Sequence, residues 1–234
     1  MGQVPNYGII GGGRVSSHFQ KYFQFENIPF SLWTRKQNNS IETALVRADV
    51  ILLLVSDQAI ETVVEENPFL ENKRLVHFSG SLVTDRAVGF HPLMTFSHSL
   101  YDHETYKSIP FIIEVETSFK EIFPSLENPW YFIEKKNKAL YHAACVLGGN
   151  FTTMLWSKVF EIFKGQLNIP YEAAFPYMNQ IIKNVEGSPN DALTGPLVRK
   201  DLETLKKNLS ALKGDSYENI YRAFTQVYLK DVSL

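Results

Sequence analysis

Along the first half of the chain, short apolar runs alternate with stretches whose apolar residues recur every three or four positions. Tyr7 to Ile10 is the first run, and three glycines end it. Phe19, Tyr22, Phe23 and Phe25 then give a helix one apolar side, and Phe30 to Trp33 is the second run. Ser40 is placed to cap a short helix through Leu45. Val50 to Val55 is continuously apolar, the pattern of a parallel strand covered on both faces. Asp57 is read as the cap of a helix through Ile60, Val63 and Val64. Leu75 to Phe78, Val88 to Phe90 and Phe111 to Val115 are read as further strands. Repeated strand-helix units of this length predict an open, mostly parallel sheet.

The pattern changes near Ile133, beyond which no strand is predicted. One long helix is expected from Asn137 to about Lys164, and another starts at Pro170. Asp201 caps a third, which carries Leu202, Leu205, Leu209 and Leu212, and a last one covers roughly Tyr217 to Tyr228. The expected fold is therefore an α/β Rossmann dinucleotide-binding domain over residues 1–134. An all-α domain over 135–234 follows.

Composition narrows the class. Hydrophobic residues make up 44% of the 234, enough for buried cores, and a net charge of −2 gives no support for nucleic-acid binding. The single cysteine, Cys145, excludes an intramolecular disulfide and fits a reducing compartment. No segment has the length and apolarity of a membrane span, and the N-terminal apolar run is broken by glycines. A soluble, cytoplasmic protein is the expectation, and no metal is expected.

The glycines carry the first chemistry. Gly11-x-Gly13-x-x-Ser16 between a strand and a helix reads as a dinucleotide-binding turn. Gly11 allows the tight turn, Gly13 lets the backbone approach a pyrophosphate, and the N–H groups opening the helix face that anion. Arg14 and Val15 belong to the same turn, and Val55 and Ser56 follow the third strand. The third motif position is usually Gly or Ala, and Ser16 departs from that. The second strand ends in Thr34-Arg35-Lys36, where an NAD-binding protein usually carries an acid. A guanidinium there pairs with a 2′-phosphate, which favours NADPH; the alternative is a pair of ordinary solvated charges.

Gly11-Gly12-Gly13-Arg14-Val15-Ser16 resembles the NADP-dependent branch of the 6-phosphogluconate dehydrogenase-like superfamily. Val55-Ser56-Asp57, His77-Phe78-Ser79-Gly80-Ser81, His91 to Phe96, Tyr141 to Ala144, Asn150 and Leu193 to Asp201 extend the likeness over nearly the whole chain. Together they resemble the Rossmann-like reductases with a helical C-terminal domain of formerly unknown function, the type of the alternative ketopantoate reductases. The resemblance implies an NADP-dependent oxidoreductase acting on a CH–OH group and a homodimer paired through the helical domain. 2-Dehydropantoate, and with it pantothenate biosynthesis, is the first substrate expected. The alternatives are an imine reductase similar to pyrroline-5-carboxylate reductase and a NADPH-binding regulator without catalysis.

Reducing a ketone requires an acid for the developing alkoxide and groups that orient the substrate. His91, after a short strand and before a proline, is the candidate acid, expected on a stiffened loop at the sheet's carboxyl edge. Its His-Pro-Leu segment is similar to the His-Pro-Met of prephenate dehydrogenases, and Ser79 resembles the serine that shares the work there. The alternative for His91 is a loop-holding histidine. At about 100° per residue, His142 and Asn150 share one side of the long helix, whereas Tyr141 lies opposite Asn150 and is read as core. Other superfamily members carry a catalytic lysine four residues before an asparagine; that position here is Val146, which moves weight to His91. Lys135, Lys136 and Lys138 are read as solvated, Cys145 as packing, and His77 and His98 are given no chemistry. Thr194 and Arg199 are expected to hold a substrate carboxylate, with an Arg199–Asp201 surface pair as the alternative. The candidates are thus His91, Asn150 and Ser79 for catalysis and His142, Thr194 and Arg199 for substrate.

Overall fold

A computed structural model describes residues 5–115 and 117–230. By contacts the chain forms two compact units, residues 1–154 and 155–234. The division falls inside a continuous helical run, some twenty residues after the last strand.

The first unit holds seven strands: β1 (Tyr7–Ile10), β2 (Phe30–Trp33), β3 (Val50–Leu53), β4 (Arg74–His77), β5 (Val88–Pro92), β6 (Phe111–Glu114) and β7 (Trp130–Ile133). They form one sheet in the order β2-β1-β3-β4-β5-β6-β7. Every neighbouring pair is parallel except β5 and β6. The helices are α1 (Arg14–Phe25), α2 (Ile41–Leu45), α3 (Asp57–Glu65), α4 (His103–Ser108), α5 (Phe119–Ile122) and α6 (Lys138–Cys145).

Alternation of side chains along β3 divides the core in two. Val50 and Leu52 pack with Phe19, Phe23, Phe111 and Phe123 on one face. Ile51 and Leu53 pack with Ile41, Leu45, Ile60 and Val64 on the other. Each such side chain, fully buried, is worth roughly 1.5–3 kcal/mol, so a continuous apolar run is what a strand covered on both faces requires. Ser40 caps α2 by accepting the Thr43 N–H, as the sequence predicts. At α3 the cap position belongs to Ser56, and Asp57 is the first helical residue. β7 was not expected from the sequence.

α6 continues through a π-helical stretch, Val146–Phe151, into α7 (Thr152–Gly165). The second unit adds α8 (Phe175–Gly187), α9 (Leu202–Ala211) and α10 (Glu218–Tyr228). Asp201 caps α9, accepting from the Thr204 N–H and hydroxyl. Lys158 on α7 bonds Asp215 at 2.6 Å and Glu161 at 2.9 Å, tying α7 to the turn before α10. Phe160 packs against Tyr171 and Phe175. No helix among the described residues is long and apolar enough to cross a membrane.

Candidate active site

The order in which strands are added reverses between β1 and β3, and the carboxyl ends of the parallel strands β2, β1, β3 and β4 open into one cleft of about 1500 Å³. Open α/β sheets bind ligands at this place. Gly11 ends β1 at φ +131°, and a Cβ there would lie 2.1 Å from the Leu54 carbonyl oxygen, so only glycine fits. Its N–H donates to the Trp33 carbonyl at 3.0 Å, joining the turn to the end of β2. Gly13 precedes α1 in extended conformation with open space where a side chain would be, and no acidic residue occupies the first turn of α1. The free N–H groups of α1 therefore face the cleft without a competing carboxylate, an arrangement suited to a phosphate.

Of the predicted cofactor residues, Gly11, Gly13, Arg14, Val15, Thr34, Arg35, Val55 and Ser56 line the cleft. Ser16 does not. It is fully buried beneath the turn, its hydroxyl donating to the Gly11 carbonyl at 2.7 Å and accepting from Gln20 at 3.0 Å. The hydroxyl takes up the room that a Gly or Ala leaves free and braces the glycine turn in return. Arg35 and Lys36 stand exposed at the β2 end.

Ser79 lines the opposite end, just past β4. Its hydroxyl donates to Asp57 at 2.5 Å and accepts the N–H groups of Ser81 and Leu82. Those three partners fix the loop that carries Gly80. A Cβ on Gly80 would lie 2.8 Å from Cδ2 of His142 and 3.1 Å from Nε2 of His91. Gly80 thus lets the loop backbone lie directly against both imidazoles.

His91 sits within β5, not on the loop expected after it, and pairs with Ile112 of β6. Alternation sends Phe90 into the core and His91 to the other side. Its Nδ1 lies 2.6 Å from the hydroxyl of Tyr141, and its ring meets those of Tyr141 and His142 edge-on, with centroids 5.5 and 6.5 Å away. Burial, then the electrostatic influence of His142 and of the Lys138 ammonium, push His91 down to about 4 against the opposing pull of Asp57. Near neutral pH the imidazole is uncharged. Burial and the neighbouring Cys145 hold the Tyr141 phenol well above its ordinary range.

Behind this pair lies a buried ionic group. Lys138, at the start of α6, bonds Glu114, the last residue of β6, at 2.6 Å, with both side chains almost wholly buried. His77, fully buried at the end of β4, accepts the Ser79 N–H at Nδ1 and has its Nε2 3.9 Å from Glu114. Among the described residues that Nε2 has no hydrogen-bond partner. Burial and the Lys138 charge lower His77 to about 4. Lys138 is therefore not the solvated residue expected from its place at a helix start. Lys135 reaches Asp85 and the Thr84 carbonyl, and Lys136 is an exposed partner of Glu134.

Tyr141 was read as core and is instead the direct partner of His91. The spacing argument joining His142 to Asn150 assumed a uniform helix. The π-helical stretch, which holds Asn150, pairs i with i+5 and interrupts the 100° progression. Asn150 is exposed there. Thr194 and Arg199 lie in the second unit. Gly195 between them takes φ +85°, and the Arg199 N–H donates back to its carbonyl. No ion pair within 4 Å joins Arg199 to Asp201 among the described residues. The Asp201 carboxylate is engaged at the α9 cap, with Arg199 lowering it from farther away.

The fold is that of a Rossmann-type dinucleotide-binding unit followed by helices, and solved structures share it along nearly the whole chain. Protein BF3122 from Bacteroides fragilis, an assigned NADP oxidoreductase, superposes with a TM-score of 0.78 at 21% identity, over 97% of this chain and 98% of its own. The imine reductase from Myxococcus stipitatus in complex with NADP+ gives 0.66 at 13%, over 97% and 93%. Pyrroline carboxylate reductase from Plasmodium falciparum with NADP bound gives 0.60 at 14%, over 96% and 99%. No curated protein matches the sequence. A family model described as a domain of unknown function (DUF2520) matches residues 110–227, just over half of the chain, and the chain belongs to that family.

Proposed function

We propose that this protein is an NADPH-dependent oxidoreductase that reduces the carbonyl of a small oxo acid, with 2-dehydropantoate as the first substrate to test. One observation carries the reading. A single cleft runs along the strand ends from Arg35 through the glycine turn to Ser79, and His91 stands at the end of the next parallel strand. The glycine turn and the open α1 terminus suit the pyrophosphate, Arg35 the 2′-phosphate, and the Ser79 end the nicotinamide. Bound NADP in the imine and pyrroline carboxylate reductases of like fold supports this assignment.

NADPH supplies the hydride that this chemistry needs. The chain's own part is to hold the carbonyl and furnish a proton to its oxygen. His91 is the group for it, and Ser79, fixed on Asp57, orients the loop beside it. The neutral imidazole, with His142 and the Lys138 ammonium near it, suits a neutral carbonyl or an anionic substrate better than an iminium cation. This favours CH–OH chemistry over the imine reduction that two of the similar folds perform. A bound dinucleotide should raise the unfolding temperature, and NADPH consumption should follow with one of a series of oxo acids. Stabilisation without turnover on any oxo acid or imine would leave a NADPH-binding regulator instead.

A further inference from the structure

We propose that Tyr141 is a positioning residue which holds His91 in its Nε2–H tautomer and replaces the proton that Nε2 gives up. The inference rests on His91 acting as the proton donor, and it follows from how the two ring nitrogens are surrounded. Nδ1 has one partner, the Tyr141 hydroxyl at 2.6 Å. Among the described residues Nε2 has no hydrogen-bond partner, and it lies against the backbone of Gly80, which cannot crowd it. Nε2 is thus the nitrogen left free for a ligand.

The direction of the Tyr141 bond decides which nitrogen carries the proton. A phenol O–H donates strongly to an imidazole nitrogen, whereas the other neighbour of Tyr141, the Cys145 sulfur, accepts weakly. Tyr141 therefore donates to Nδ1, and the single proton of the neutral ring sits on Nε2. A neutral imidazole that donates alone would be left as an imidazolate, an expensive ion in a half-buried place. With Tyr141 bonded, the balance closes. As the N–H bond at Nε2 breaks toward the substrate oxygen, Nδ1 takes the phenolic proton, and the ring stays neutral in the opposite tautomer. The phenolate then regains a proton from water. The buried Lys138–Glu114 pair, one helical turn before Tyr141, anchors the start of α6 to β6 and so sets the reach of the phenol.

The test reads the tautomer directly, in the protein without cofactor or substrate. Imidazole nitrogen NMR of protein labelled at histidine, with His91 assigned through His91→Gln, should give a single Nε2–H form near neutral pH. Tyr141→Phe removes one oxygen. It should shift His91 to a mixture of both tautomers while circular dichroism and NADPH-induced stabilisation stay as in the parent. Cys145→Ala should leave the tautomer unchanged. An Nδ1–H form in the parent, an unchanged tautomer in Tyr141→Phe, or a changed one in Cys145→Ala would overturn the inference. None of these readings depends on turnover, so a failed substrate screen would count against the reductase reading and leave this result standing.

Discussion

The phenolic oxygen of Tyr141 on α6 and Nδ1 of His91 on β5 lie 2.6 Å apart. The contact couples a helix following the last strand to the strand end where the cleft's chemistry is expected. It also ties the candidate acid to a group that titrates far above neutrality, while His91 itself titrates far below. Neither titrates near pH 7, so both are neutral before a proton leaves, and the charge left afterwards rests on the phenol oxygen until water restores its proton.

Cofactor choice is the first consequence. Arg35 is exposed at the end of β2, where a ribose carboxylate partner would sit in an NAD-binding protein. NADPH should bind at least about tenfold tighter than NADH, about 1.4 kcal/mol or more. Arg35→Ala should erode that preference. Titration of both cofactors checks it, and equal affinities in the parent protein would refute the assignment.

The Lys138–Glu114 pair should behave as a buried ion pair. Glu114→Gln strands the Lys138 ammonium almost fully buried and should cost about 3–5 kcal/mol in urea unfolding. Combining it with Lys138→Met should cost clearly less than the two single changes summed. A Glu114→Gln loss below about 1 kcal/mol would place the pair in contact with water.

Acid should weaken the fold earlier than the carboxylates alone would dictate. His77 and His91 are lowered from 6.5 to about 4 in the folded protein. The unfolded chain therefore binds more protons between those values. Stability is complete above about pH 6.5 and falls as pH drops toward 4. For fully buried His77 the loss should reach roughly 3 kcal/mol. Unfolding free energies at about pH 7 and about pH 4.5 check this, and equal values would exclude a buried neutral His77.

Assembly is a further expectation. No residue of α8 is buried, and Phe175, Tyr177, Ile182 and Val185 on it are exposed. Such a face calls for cover, and a homodimer through the helical unit is the form expected. Light scattering at micromolar concentration should give twice the chain mass. A monomer would leave this face unexplained.

The strands β2 and β3, the glycine turn and the cap of α9 were legible because each rests on a local rule: an apolar run, a positive φ, a side chain in reach of a free N–H. His91 was singled out from its place before Pro92, but it was expected on a loop and lies within β5. Its partner was not legible. Tyr141 was assigned by helical phase relative to Asn150, and the π-helical stretch between them changes that phase without any sign in the sequence. Lys138 was misread because a lysine at a helix start is usually solvated. The available signal was Glu114, a carboxylate closing an otherwise apolar strand and needing a buried cation. Ser16 was taken for a cofactor contact because motif position says nothing of which side of the turn a hydroxyl faces; here it points under the turn to Gly11.

The central claim is that His91 gives the proton in an NADPH-dependent carbonyl reduction, and turnover of His91→Gln tests it most directly. Once a substrate is found, that change should lower turnover by about two to four orders of magnitude and leave NADPH affinity nearly intact. A loss of less than severalfold would contradict the claim and make His91 a structural residue of β5.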